Sequence, residues 1–557
     1  MNAPPGQRLV PVLIDEQAER TPTKVYASVP QSSQLEPGCY RDVTIRDFAR
    51  AIDRLCAFLE PLIGFSTTLN TVAYFGPPDI RYQMMMPALS KLGHKVLFSA
   101  PRNSPEMHLN LLNNTECTTI LHSAEIDVRA TIGSAYEGRK SHAIPSLDDL
   151  FWSMTEPAKH YSYTKTFEEA RNEPYVIFHT SGSTGMPKPV PHTHGWAAAF
   201  DYQLHHPPVN GRRSVVSMIA DRGRVLKGFA PWHTSGGDAF GLLSGVFGEN
   251  CFVWFPYDRM PTAEDALKIA GIARCNQVKL SIDQYQAMAK LKGGLEMLES
   301  MDAIWYGGGA MDESLGKLLS KRCRMVNLYG GTECGAPGLQ LVSDAWNCVN
   351  FDSSFPGLEF RDMGDGIYEL FVVRYPGCED QHAVWHVFPD IQEWSLKDLW
   401  SKHPTLPNHW AYQGRVDDLI VFKAAYKYNP LAFEEHLRTH PLIRAALMAG
   451  TGHNQSVALL ELDDSAQFDG TEESKQRILD AIWPTMEEAN ETAPRHARVL
   501  RSHVLFTKPD CPIQKAMKGT VQRAPTLRNY RKEIDDVYER FGDEKLEGIM
   551  PAVVDGK

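Results

Sequence analysis

The sequence predicts an α/β protein of parallel layers, on three observations. Short apolar runs rich in β-branched and aromatic residues alternate with helical patterns, the signature of strand–helix–strand units. The helical segments carry apolar residues at spacings of three and four: Phe48, Ile52, Leu55 and Leu59 fall on one face. At 557 residues the chain is long enough to bury a large core and to hold more than one domain.

In chain order, Leu9 to Ile14 is a short apolar run broken by Pro11 and closed by Asp15-Glu16, too short for a signal peptide. Residues 9 to 63 read as helical, Val72 to Phe75 as a strand, and the Met-rich stretch after Pro78 as an amphipathic helix. Val96 to Phe98 is a second strand. In the Ser99 to Ser104 stretch, Asn103 and Ser104 read as turn and helix-cap residues. Tyr175 to Phe178 is a third strand, and it runs into Thr180-Ser181-Gly182-Ser183-Thr184-Gly185, followed by Lys188. Glycines let successive N–H groups point into one concavity, hydroxyls add donors, and the lysine adds a full charge, so this stretch suits a polyphosphate. It is not a Walker loop, because Pro189 follows the lysine where a Ser or Thr should hold magnesium.

Further on, Ala303 to Tyr306 is a strand entering the turn Gly307-Gly308-Gly309, with Trp305 and Gly307 on one face and Tyr306 on the other. Asn327-Leu328-Tyr329-Gly330-Gly331-Thr332-Glu333 combines an amide able to read a base edge, a stacking ring, a hydroxyl donor and a hard carboxylate. Leu280-Ser281 follows a strand-like run and opens a helix, with Ser281 as cap and Asp283 in the first turn. An amphipathic helix is predicted around Ile478, Leu479, Ile482 and Trp483.

The net charge of −11 disfavours nucleic acid and membrane surfaces as partners, and no uncharged run approaches the ~20 residues of a membrane span. Ten cysteines occur singly, with no C-x-x-C pair, and read as buried small hydrophobes in a reducing, cytoplasmic compartment.

The Thr180 to Lys188 stretch resembles the phosphate-binding signature T-S-G-[ST]-T-G-x-P-K-G of adenylate-forming enzymes, the acyl-CoA synthetases, luciferases and peptide-synthetase adenylation domains. Asn327 to Glu333 matches their N-x-Y-G-x-T-E. Asp398, in LKDLW, and Gly414-Arg415-Val416-Asp417 resemble the T-G-D and G-R-x-D elements. Lys515-Ala516-Met517-Lys518-Gly519-Thr520-Val521-Gln522-Arg523 resembles the K-G-T-V-Q-R form found in fungal nonribosomal-synthetase-like carboxylic acid reductases, the nearest subgroup.

The resemblance implies a large core of layered mixed sheets and helices, residues 1–416, and a small mobile C-terminal α+β domain, 417–557, with Asp417 at the hinge. It implies ATP and Mg2+ as cofactors. The loop residues with Lys188 would hold phosphates. Gly308, Gly309, Asn327 and Tyr329 would take adenine, Asp398 and Arg415 the ribose, Thr332 the α-phosphate and Glu333 the metal. Lys518 is the catalytic lysine, with Lys515 in reserve because the commoner lysine place holds Thr520. Trp232, His233, Asp283, Trp305, Gly307 and Leu328 would line the acid pocket.

The implied reaction forms acyl-AMP and pyrophosphate, then moves the acyl group to a phosphopantetheine thiol. That thiol belongs to a carrier domain which, with an NADPH-dependent reductase domain, lies outside this chain. Ala425 replaces a glycine beside the pantetheine path. Asp283 with Trp232 and Trp305 suggests a cationic acid such as glycine betaine; an aryl acid, and a stand-alone acyl-CoA ligase, are the alternatives. A non-catalytic nucleotide-binding protein is the rival class.

Overall fold

The computed structural model describes residues 3–153, 159–181, 186–232, 234–309, 311–364, 366–423, 427–515 and 521–543. Two compact units emerge. One comprises Met1–Phe360, Phe371–Ser395 and Lys402–Ala411, the other Arg361–Leu370, Leu396–Ser401 and Tyr412–Lys557.

The first unit is organised on two large sheets. In the six-stranded sheet the order is Lys140–Ile144, Thr119–Ser123, Thr71–Phe75, Lys95–Phe98, Pro174–Ser181, Pro187–Thr193. Its strands run parallel except the last, which returns antiparallel as a hairpin. The seven-stranded sheet runs Arg324–Asn327, Ala303–Tyr306, Gln277–Lys279, Gly223–Lys227, Asn250–Val253, Val25–Pro30, Tyr40–Thr44, with only the final strand antiparallel. Parallel sheets are covered on both faces, which is why their strands read as nearly unbroken apolar runs.

Helix Ile45–Ile63 opens with a reciprocal cap between Thr44 and Asp47. It buries Phe48, Ile52, Leu55 and Leu59 completely, each stabilising by roughly 1.5–3 kcal/mol. The Met-rich helix Arg81–Lys91 differs from expectation. It is buried on every side, not amphipathic, because helix Ile45–Ile63 covers one flank and strands Lys95–Phe98 and Pro174–Ser181 the other. Its polar ends are neutralised internally, Arg81 by Asp79 and Lys91 by Asp15 and Asp53. Ser104 caps helix Pro105–Asn114 through its hydroxyl, as predicted. Six of the ten free cysteines are buried and four are only partly so, which narrows the reading of all ten as core residues.

The second unit has a three-stranded sheet in which Ile443–Ala449 and Ser456–Leu462 pair antiparallel and Val499–Phe506 joins in parallel. Helix Glu472–Thr492 buries Ile478, Leu479 and Ile482 against it, at the predicted place. Among the described residues no helix is long and apolar enough to cross a membrane.

Candidate active site

The first unit brings the phosphate-loop strand and the Thr332-Glu333 turn together. The strand Pro174–Ser181 and its return Pro187–Thr193 form a hairpin whose register places Thr180 opposite Lys188. Directly paired residues share a face of the sheet, so Lys188 stands beside Thr180, exposed. The Thr180 hydroxyl donates to the Glu333 carboxylate at 3.3 Å. Two residues 153 apart in sequence are thus neighbours at the mouth of the loop. Gly182, Ser183, Thr184 and Gly185 lie outside the described residues, as do His233, Ala425, Lys518 and Thr520; of Ser181 only the backbone is described.

The residues expected to take adenine sit at the carboxyl ends of adjacent parallel strands, where α/β sheets bind their ligands. Tyr306 pairs with Asn327, and the Leu328 amide donates to the Tyr306 carbonyl at 2.9 Å. A Cβ on Gly307 would lie 2.2 Å from the Leu328 carbonyl, so only glycine permits this approach. Gly308 follows with φ +76°, in the left-handed region, and Gly309 completes the turn. Tyr329 is clamped by Gln340, whose side-chain amide donates to the Tyr329 carbonyl at 2.7 Å. Its ring meets Phe351 edge to face, centroids 6.2 Å apart. Gly331 and Gly335 exchange backbone hydrogen bonds, closing the Thr332-Glu333 turn into a tight loop.

Beneath that loop lies a buried polar network that motif reasoning missed. His192 and Asp238 are both fully buried, with His192 Nδ1 2.8 Å from Asp238 Oδ2. The Tyr175 hydroxyl donates to both carboxylate oxygens at 2.7 Å. The other ring nitrogen, Nε2, donates to the Thr332 carbonyl at 2.9 Å. Trp196 stacks on the imidazole at 3.7 Å between centroids. Burial and the neighbouring Asp238 charge push the Tyr175 phenol well above its usual range, keeping it a donor. An aspartate inside the apolar run SGGDAFGLL is the signal that could have found this network, since a buried carboxylate needs partners.

The residues expected to line the acid pocket divide. Trp232 and Trp305 are buried in one core cluster, with Leu328 packed against it. The Trp305 indole donates to Gln277 at 2.9 Å, and its ring meets Phe240 edge to face. Asp283 is corrected: it is exposed in the first turn of helix Ile282–Lys290, behind a capping box between Ser281 and Gln284. The helix-terminus account describes that placement. Pointing to the same side of the sheet as Trp305 is instead Lys279, buried and directly paired with Trp305.

In the second unit, Asp398, Arg415 and Asp417 fall together. Arg415 lies 3.8 Å from Asp417, which Lys397 also reaches at 3.4 Å. Burial pulls the Arg415 guanidinium down, but Asp398 and its other anionic neighbours outweigh this and raise it. Asp417 sits in the single tight turn Val416–Asp418, just after Gly414 at φ +100°. Lys515 bridges to Val521, and the Gln522 amide donates to the Gln514 carbonyl at 2.7 Å, which holds together the described residues on either side of Lys518. Arg523 anchors that base with two bonds to the buried Glu434, at 2.7 and 2.8 Å, and one to the Met448 carbonyl.

Comparison with known proteins agrees with this geometry. Residues 14–358 match the family model described as AMP-binding enzyme, and residues 417–542 the model described as AMP-binding enzyme C-terminal domain. A carboxylic acid reductase of Neurospora crassa is 31% identical over 549 residues, covering 97% of this chain and 51% of the relative. The adenylate-forming reductase Nps10 of Heterobasidion annosum is 25% identical, over 96% of this chain and 50% of its own length. The chain thus spans about half the length of these curated relatives. Among solved structures, acetoacetyl-CoA synthetase from Streptomyces lividans shares the fold with a TM-score of 0.70 at 15% identity, over 95% of this chain and 83% of that one. The chain belongs to the AMP-binding enzyme family. It is an adenylate-forming enzyme that activates a carboxylic acid, using ATP and Mg2+.

Proposed function

We propose that this chain is the acid-activating module of a carboxylic acid reductase-type protein, handing its acyl group to a phosphopantetheine thiol on a carrier domain. The contact between Thr180 and Glu333, with Lys188 registered alongside, carries the reading. It supports a site in which phosphate oxygens meet a hydroxyl, an ammonium and a carboxylate-held cation. Glu333 fits Mg2+ as a partly buried hard oxygen donor. Glu333 would hold that ion against the phosphates. When bound, it neutralises charge on the phosphates.

The roles of the chain's own residues follow. Lys188 grips the β- and γ-phosphates, and Thr332 donates to the α-phosphate. Lys518 meets the negative charge that builds as the carboxylate oxygen attacks phosphorus and pyrophosphate leaves. Lys518 is preferred to Lys515 because Lys515 is held in the backbone bridge at the loop base, whereas Lys518 falls between the two bridge positions. Asp398 and Arg415 hold the ribose. The smaller domain begins at Asp417, a division supported by the family match that starts at residue 417. Its rotation about that residue withdraws Lys518 for the thiol-transfer step.

Acid-dependent ATP–pyrophosphate exchange tests the reading. Lys518→Ala lowers exchange ~10²–10³-fold while nucleotide still binds; a comparable loss in Lys515→Ala instead reverses the lysine assignment. As for the acid, glycine betaine loses its support with the exposure of Asp283. The cytoplasm and an NADPH-dependent reductase partner remain parts of the same proposal.

A further inference from the structure

Four neighbouring positions at the carboxyl edge of the seven-stranded sheet form one row: Trp254, Lys227, Lys279 and Trp305. Lys279 pairs directly with Lys227 on one side and Trp305 on the other, and Trp254 directly follows Val253, the partner of Leu226. Residues paired in this way project from the same face. That face belongs to the core cluster holding Trp232 and Trp305. Both lysines are buried, at 3% and 2% exposure.

Neither lysine is an ordinary surface charge. Lys279 Nζ lies 4.7 Å from the Phe229 ring centre and 3.7 Å from where a Cβ on Gly307 would stand. It therefore sits beside the glycine that opens the acid pocket. Lys227 Nζ stands 3.8 Å over the Trp254 ring and has no hydrogen-bond partner among the described residues. The Trp254 indole nitrogen is likewise buried without an acceptor among them. Burial holds the Lys227 amine well below the usual lysine range. Unsatisfied buried donors are costly, and these ask for one thing, an acceptor with negative charge.

We infer that the acid activated here carries a second carboxylate, which seats against Lys279 and Lys227 while the first is adenylated. This rests on the reading of the Trp305–Gly307 face as the acid pocket. An anion beside Lys227 favours the charged form that burial opposes. It also supplies the missing acceptor. A cationic acid such as glycine betaine meets the reverse field, and an apolar aryl acid leaves Lys227 Nζ and the Trp254 indole nitrogen without an acceptor. Gly307 keeps the strand ends close beside Lys279, since any side chain there would meet the Leu328 carbonyl.

The test is ATP–pyrophosphate exchange with succinate, glutarate and adipate, each against its own monoamide, with benzoate and glycine betaine as controls. A monoamide keeps the size of its diacid and removes one charge. At least one diacid exceeds its monoamide by about tenfold or more in kcat/KM, the scale of a lost buried charged hydrogen bond. Lys279→Met and Lys227→Met bring that ratio close to one, and Lys279→Arg preserves much of it. The comparison in the unaltered protein stands even if a variant fails to fold. Monoamides, benzoate or betaine equalling every diacid overturns the second-carboxylate assignment and leaves adenylation intact. Exchange with none of these acids, while ATP still binds, counts against both the assignment and the adenylation reading beneath it.

Discussion

At the scale of single residues, two side chains separate grip from positioning. Lys188 is exposed and registered against Thr180 at the loop mouth. Lys188→Ala weakens ATP more than AMP, because AMP lacks the phosphates the ammonium reaches; calorimetric titration of both nucleotides measures it, and equal losses contradict the role. His192 acts through the Thr332 carbonyl, not on substrate. Asp238→Asn removes the charge that orients the imidazole while keeping shape and the Tyr175 contact. Exchange kcat falls by up to ~10²-fold, the cost of a misplaced catalytic group, with KM for the acid nearly unchanged. A matching rise in KM, or kcat loss only through unfolding, marks His192 as merely structural. The phosphate loop and the Asn327–Glu333 heptad were legible because both are local strings whose residue types each have a chemical reason. His192 and Asp238 were not, since 46 residues separate them and only the packing of the hairpin against the helical segment Ser235–Leu243 joins them. Asp283 was misplaced for the opposite reason. Four positions past the strand end at Lys279, its direction depends on where the helix starts, whereas Lys279 in the strand points where the register puts it.

At the scale of elements, strand ends and loop bases make the site. Strands Ala303–Tyr306 and Arg324–Asn327 hold Gly307 and Leu328 so close that a Cβ cannot fit. Gly307→Ala forces the two strand ends apart, lowering stability by about 1–3 kcal/mol and exchange with it. Chemical denaturation reads the first, and an unchanged midpoint shows that the ends can part freely. The Arg523 anchor gives a second test. Burial raises the Glu434 carboxyl, and Arg523 opposes this from two hydrogen bonds. Arg523→Met leaves that carboxylate buried without its partner, costing about 3–5 kcal/mol. The double variant Arg523→Met, Glu434→Leu recovers part of it. No recovery shows that the pair is not the loop's anchor. Helix Ile45–Ile63 and strands Thr71–Phe75 and Lys95–Phe98 were readable from periodicity, but the helical reading of residues 9 to 63 passed over strands Val25–Pro30 and Tyr40–Thr44, whose short runs carry no clear period. The full burial of helix Arg81–Lys91 was not, because pattern reports composition around one helix and not how many neighbours cover it.

At the scale of the whole molecule, the chain reads as one acid-activating module with two jobs. Its hinge assignment makes a kinetic prediction. Asp417→Pro stiffens the turn Val416–Asp418 and slows acyl transfer to a carrier-bound phosphopantetheine more than it slows exchange; equal slowing of both contradicts the hinge. The central claim is that a carboxylate oxygen attacks the α-phosphate of ATP. The most direct measurement labels both oxygens of the preferred acid with oxygen-18 and follows the label into products after transfer to a thiol acceptor. The account predicts one labelled oxygen in AMP and unlabelled pyrophosphate. Labelled orthophosphate with ADP, or AMP without label, contradicts it.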